Sequence, residues 1–329
     1  MAEEPSSSLE TVLAGIEPAS EEFAGKARKR LSAHGSYDAL GRLGDAAVRL
    51  AAARHSTMPP VARRSVLVCA GDHGASDDAQ RAAADRAVRS VASGRAPLNV
   101  LAREHKAQVI VVDAGMFTAD LGPEVLELRV GDGTADFRYG PAMDRDVAVL
   151  ALDTGVALAM SLVGDGLDLL GLTALGAGSE RSAAVLSAAL LGQPTDVMVV
   201  EALVNNGLAI DAPAEPRDAL AALGGYELGV LAGACLGAAA VRVPVLVDSG
   251  AAAAAALLAV RLAPAARGYL FAAQAGTSHD ARAALAALEL APLGQLAIAP
   301  GPSVAAALPA LDGAARLLRE IPTRSLPVV

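Results

Sequence analysis

Apolar residues fall into two patterns along this chain. Short unbroken runs end in glycine-rich turns, and longer stretches carry small apolar residues at helical spacing. RSVLVCAGDHG, residues 64–74, is the first run and predicts a buried strand followed by a tight turn. AQVIVVDAG, residues 107–115, repeats the design, with helical patterns over 81–92 and 96–104 between the two. Strand, helices and strand in that order imply a parallel crossover. DGLDLLGLTALGAGS, residues 165–179, predicts a third strand and turn, with a helix over 182–191. DVMVVE, residues 196–201, reads as a short strand. A helix over 229–241, a strand over 244–250, a helix through the alanines after Gly250 and a strand over 268–274 follow. Residues 279–289 and 304–320 are predicted helical. At the other end, residues 21–53 are helical with a break at His34, Gly35 and Ser36.

Strands alternating with helices predict an α/β fold: a doubly wound, mostly parallel sheet flanked by helices. The expected division is a flexible leader over 1–20, a helical segment over 21–60, a Rossmann-like core over 61–290 and a C-terminal helical segment over 291–329. The two end segments would form a small helical subdomain. Chemistry in such folds sits beyond the carboxyl ends of the strands, marked here by AGDHG, DAGM, GLTALGAGS and DSGA.

Composition sharpens this picture. Hydrophobic residues make up 53% of the 329, yet aromatics only 2%, and there is no Trp. The core must be Ala, Val and Leu, which lets backbones approach closely. A net charge of −9 with no basic stripe argues against nucleic acid and for a small-molecule partner. Mean hydropathy is +0.41, but Gly, Asp or Arg interrupts the apolar runs well before about 20 residues, so no membrane span is expected. MAEEPSSSLE lacks the basic start and apolar stretch of a signal peptide, and a cytoplasmic location is expected. Cys69 and Cys235 lie in apolar stretches and read as buried free thiols. HExxH, paired CxxC and GxxxxGK[ST] motifs do not occur, so neither metal nor cofactor is expected.

Six segments in series carry a family resemblance. They are DALGRLGDAAVRLA (38–51), AGDHGA (70–75), GRAPLNVLAREHKAQVIVVDAGM (94–116), GTADFRYGPAMDRDVAVLALDTG (133–155), the stretch from GGYELGVLAG to DSGAAAAAALLA (224–259), and ALPALDGAARLLREIPT (307–323). The series resembles the nicotinate-nucleotide:dimethylbenzimidazole phosphoribosyltransferases. The resemblance implies a homodimeric enzyme without cofactor. It would move a phosphoribosyl group from nicotinate mononucleotide to a benzimidazole, in cobalamin biosynthesis.

That reaction sets clear demands. The donor's pyridinium nitrogen leaves as a neutral base and needs no acid. The incoming imidazole ring must lose a proton, so a carboxylate base is useful, and such assistance is worth on the order of 10²–10⁴-fold. The phosphate needs backbone N–H groups at a glycine-rich turn. The resemblance puts Pro300 where the family's LGEG segment has its base and Leu172 at the second acidic position, in the family's GEMGIGNTT turn. Two functions therefore stay open. One is a phosphoribosyltransferase using this or a related donor and a benzimidazole-like or other aromatic base. The other is a catalytically impaired paralogue that binds a nucleotide or regulates a partner. Hydrolysis of the donor is a third, weaker option.

Candidate ligand contacts are Gly71, Asp72 and His73 in the first turn, against a plain tight-turn role. Gly176, Gly178 and Ser179 suit a phosphate cradle or a simple N-cap. Arg181 could clamp the phosphate, and Glu180 or Glu201 could replace the base. Asp248, Ser249 and Gly250 face a cleft or cap the alanine-rich helix. Asn99 and Asp113 have the same two readings.

Overall fold

The computed structural model describes residues 8–33, 37–194, 197–248, 250–276, 278–295 and 298–321. Helices α1 (Ser8–Gly15), α2 (Glu21–Ser32), α3 (Tyr37–Leu40) and α4 (Arg42–Ala53) come first. Strand β1 (Arg64–Gly71) leads through α5 (Asp78–Ala92) and α6 (Pro97–Glu104) to β2 (Ala107–Gly115). After β3 (Val125–Glu127), the long helix α7 (Arg145–Gly164) returns the chain to β4 (Leu169–Leu175). Helices α8 (Ser179–Leu191), α9 (Val197–Asn205), α10 (Pro216–Leu223) and α11 (Tyr226–Ala240) precede β5 (Val245–Val247). Helix α12 (Ala251–Leu262) and a 3-10 turn (Pro264–Tyr269) lead to β6 (Leu270–Gln274). Helix α13 (His279–Ala287), β7 (Pro292–Gly294) and α14 (Pro302–Glu320) complete the order.

The seven strands form one sheet in the order β3-β2-β1-β4-β5-β6-β7, and every neighbouring pair is parallel. The chain starts at β1, winds outward to β3, then crosses back to lay β4 on the other side of β1. The winding direction reverses between β1 and β4, the place where such sheets bind ligands. Side chains alternate between two cores, as the strand period demands. Leu67, Cys69, Leu170 and Leu172 face a layer that includes α7, α11 and α12. Val66, Val68, Ala70 and Leu169 face a layer that includes α4, α6 and α14. Helices from both ends of the chain thus meet on one face of the sheet.

Small residues allow an unusually close contact between α7 and α11. A Cβ at Gly155 would overlap the carbonyl oxygen of Val230, and one at Gly233 that of Leu152. A Cβ at Gly229 would lie 2.6 Å from Ala151 Cβ. This contact also explains α7 itself. It is long and apolar enough to cross a membrane by length and composition, contrary to the expectation of no such stretch, but its inner face packs on α11.

The structure corrects four other expectations. Residues 8–20, expected within a flexible leader, hold α1, and Leu9 is fully buried against the core with α7 and α11. Residues 1–7 and the break at His34–Ser36 lie outside the described residues. Of the strand expected over 196–201, residues 197–201 are instead helical, in α9, which buries Val199, Ala202 and Leu203 on one face, and residue 196 lies outside the described residues. The helix expected over 182–191 begins three residues sooner, at Ser179, and α11 also starts three residues before its expected position. Both cysteines are free and buried. Burial pushes the Cys235 thiol up to about 12 and the Cys69 thiol well above its ordinary value.

Candidate active site

The turns after β1, β2 and β4 are bolted together by one carboxyl. Asp72 Oδ1 accepts from Ala177 N at 2.7 Å, and Asp72 Oδ2 accepts from Phe117 N at 3.0 Å. Asp72 is 1% exposed, and burial raises its pKa despite those two bonds. His73 continues the join: its backbone N–H donates to Ala177 O at 2.9 Å. Gly176 takes φ +152 with its Cα against the carbonyl of Gly71, where a Cβ would overlap that oxygen. Gly178, at φ +85, is the N-cap of α8. Only glycine serves at both positions. Ser179, one reading of which made it the N-cap, is instead the first helical residue, and its hydroxyl turns inward.

That hydroxyl meets a residue not singled out beforehand. Glu227, near the start of α11, is fully buried, and its Oε1 lies 2.8 Å from both Ser179 Oγ and His73 Nε2. Its Oε2 and His73 Nδ1 have no hydrogen-bond partner among the described residues. Gly71 and Gly225 make room for it, since a Cβ on Gly71 would lie 2.6 Å from Oε2. Glu227 had one sequence signal: it is the sole charged residue in an otherwise apolar helix.

A second buried carboxyl lies one strand further along. Asp248, after β5, accepts from Thr173 Oγ1 at 3.1 Å, from Gly301 N at 2.5 Å and from the Ser303 hydroxyl. It fastens the entry of α14 to the sheet. Gln274 does the same for the neighbouring loop, donating to Ile298 O at 2.7 Å. Glu180 bridges the two halves of the site. Its Oε1 accepts from Ala251 N at 3.4 Å, and its carboxyl lies against Gly250, where φ is +68. Burial holds the Glu180 carboxyl above its ordinary pKa. Arg181 donates to Ala75 O at 3.2 Å on the rim of the first turn.

A family model described as phosphoribosyltransferase matches residues 16–326. A nicotinate-nucleotide-dimethylbenzimidazole phosphoribosyltransferase of Syntrophobacter fumaroxidans is 36% identical over 340 residues, covering 96% of each chain. The protein of that name from Roseiflexus castenholzii is 37% identical over 292 residues, 82% of each chain. The crystal structure of such an enzyme from Thermus thermophilus aligns with a TM-score of 0.83 at 32% identity, over 91% of this chain and 96% of that one. The chain belongs to this phosphoribosyltransferase family. The segments AGDHG, GLTALGAGS and GGYE supply Asp72, His73, Ser179 and Glu227.

Against that membership, several expected positions shift. Leu172 sits mid-strand in β4, fully buried in the core, so a carboxylate there would not reach the strand ends. Setting Gly176 and Gly178 against the glycines of the phosphoribosyltransferase turn GEMGIGNTT moves the second acidic position to Ala174, half-buried near the end of β4. The same register puts Ser179, Glu180 and Arg181 opposite Asn-Thr-Thr. Pro300 is half-exposed and leads into Gly301, which Asp248 holds. Asn99 is not brought into the cluster: it accepts from Ala96 N and donates to Val91 O, closing the α5–α6 turn. Asp113 accepts from the N–H groups of Gly115 and Met116 and pairs with Arg129. Glu201 lies exposed on α9. Ser249 is outside the described residues.

Proposed function

We propose that this chain transfers a phosphoribosyl group from nicotinate mononucleotide to a benzimidazole-like aromatic base. The observation that carries the reading is the Gly176–Ser179 turn, which opens α8 at the reversal point of the sheet and is locked to the Asp72–His73 turn. The first turn of a helix leaves N–H groups without intrahelical partners, and these suit the donor phosphate. Arg181 on the same turn adds a guanidinium. The pyridinium leaves as a neutral base, so its departure calls for no acid.

Incubation with nicotinate mononucleotide and a panel of benzimidazoles tests this, with chromatography of the products. Free nicotinate and a new nucleoside phosphate in equal amounts are expected. Nicotinate without the new nucleotide would mean hydrolysis. Thermal stabilisation by the donor without any release would mean a binding protein.

The proposed location is the cytoplasm, where Cys69 and Cys235 stay reduced. The proposed assembly is a homodimer, supported by exposed Leu150 (52%) and Met160 (43%) on the outer face of α7. The alanine-rich α11 and α12 are buried inside the chain's own core. Sedimentation of the assay sample at the mass of one chain would remove the dimer.

A further inference from the structure

The transfer reaction releases one proton from the acceptor ring, and Pro300, Leu172 and Ala174 cannot take it. Three carboxyls converge near the strand ends: Glu227, Asp248 and Glu180. Glu227 is fully enclosed and held by His73 and Ser179. Asp248 is fully enclosed and held by Thr173, Gly301 and Ser303. Glu180 differs from both, since solvent reaches it and its hydrogen bond to Ala251 N is long. It is the second residue of α8, directly after the turn proposed to hold the phosphate. A Cβ at residue 250 would lie 2.5 Å from its Oε1, so glycine there is what leaves the carboxyl its space.

We infer that Glu180 is the catalytic residue that accepts the acceptor ring's proton, with Asp248 a fixed carboxylate behind it. The inference rests on the transfer reaction proposed above. The unprotonated ring nitrogen of the acceptor attacks C1′ of the donor ribose. The C1′–N bond to the pyridinium breaks, and its electron pair returns to the nicotinate ring nitrogen. The ribosylated acceptor is then cationic, and its remaining N–H proton passes to the Glu180 carboxylate. From this solvent-exposed rim the proton goes on to water, which restores the carboxylate.

The surroundings suit that role. Asp248 from the end of β5 and Glu227 from α11 act on Glu180 as like charges. α12 brings the backbone N–H of Ala251, and the adjacent Arg181 reaches Ala75 O. Burial and the two carboxyls raise the proton affinity of Glu180, while the Ala251 bond lowers it. A carboxyl so placed binds a proton more readily than a free glutamate does.

The test compares two acceptors at saturating nicotinate mononucleotide. Benzimidazole must lose a proton after attack; 1-methylbenzimidazole has none to lose. In Glu180→Gln, the rate ratio of benzimidazole to 1-methylbenzimidazole should fall by on the order of 10²–10⁴ from that of the unsubstituted protein. Glu180→Asp, which keeps a carboxyl, should recover part of it. Equal losses on both acceptors, or no loss, would overturn the role, because a residue that merely caps α12 has no reason to tell the two rings apart. An unsubstituted protein that transferred to neither acceptor would instead remove the transfer reaction, and this role with it.

Discussion

Glu227 is a charge that an apolar helix retains for two neighbours. Glu227→Ala would leave His73 Nε2 and Ser179 Oγ buried without their shared acceptor. A loss of about 3 kcal/mol in folding stability is expected, read from the urea midpoint. Glu227→Gln keeps the shape and one acceptor oxygen and should lose less. Glu180 gives the opposite sign. Its folded pKa is raised, so the fold disfavours its carboxylate at neutral pH, and that penalty fades as pH falls through the raised pKa towards the ordinary value of about 4.3. The melting temperature of Glu180→Gln should therefore exceed that of the unsubstituted protein at pH 7, with the gap closing near pH 4. A lower melting temperature at pH 7 would mean that the Ala251 bond outweighs burial. At this scale the sequence was readable where a motif held the residue. Asp72 and His73 in AGDHG and Ser179 in the third turn all reach the cluster. Asn99 and Asp113 carry the same polar chemistry, but Asn99 uses its hydrogen bonds to close the α5–α6 turn, and Asp113 uses its own on the turn after β2 and on Arg129, which spacing alone does not reveal.

Among the elements, the α7–α11 contact is the most demanding. Gly155 and Gly233 sit where any Cβ would strike the facing backbone. Gly233→Val should lower stability by at least about 3 kcal/mol or abolish soluble protein, measured by circular dichroism on heating. Gly313 in α14 is the control. A Cβ there meets nothing nearer than Leu43 Cδ1 at 3.9 Å, so Gly313→Ala should stabilise by about 0.5–1 kcal/mol. Five strands were legible because each is an apolar run closed by a turn. β3 and β7 leave no such signature: only Val125 of β3 is buried and every residue of β7 is half-exposed, whereas the equally short β5 is apolar and buried throughout. α9 was misread because VMVVEALV satisfies both periods over its first residues. Burial of Val199, Ala202 and Leu203 shows that the helical spacing prevails.

For the molecule as a whole, alternation of strands and helices was enough to read a doubly wound sheet, but the strand order was not in the pattern. Nor was the meeting of the site. Asp72 and Ala177 are 105 positions apart and His73 and Glu227 are 154 apart, and only the reversal between β1 and β4 brings them together. That reversal also has a consequence for biosynthesis. β1 can pair with β2 early, but its other side waits for β4, roughly a hundred residues later, or about 5–20 s of translation. Until then a nascent chain presents an unpaired strand, apolar from Val66 onward, in the middle of its future sheet. Ribosome-bound fragments ending before residue 169 should accordingly be the forms that chaperones hold longest.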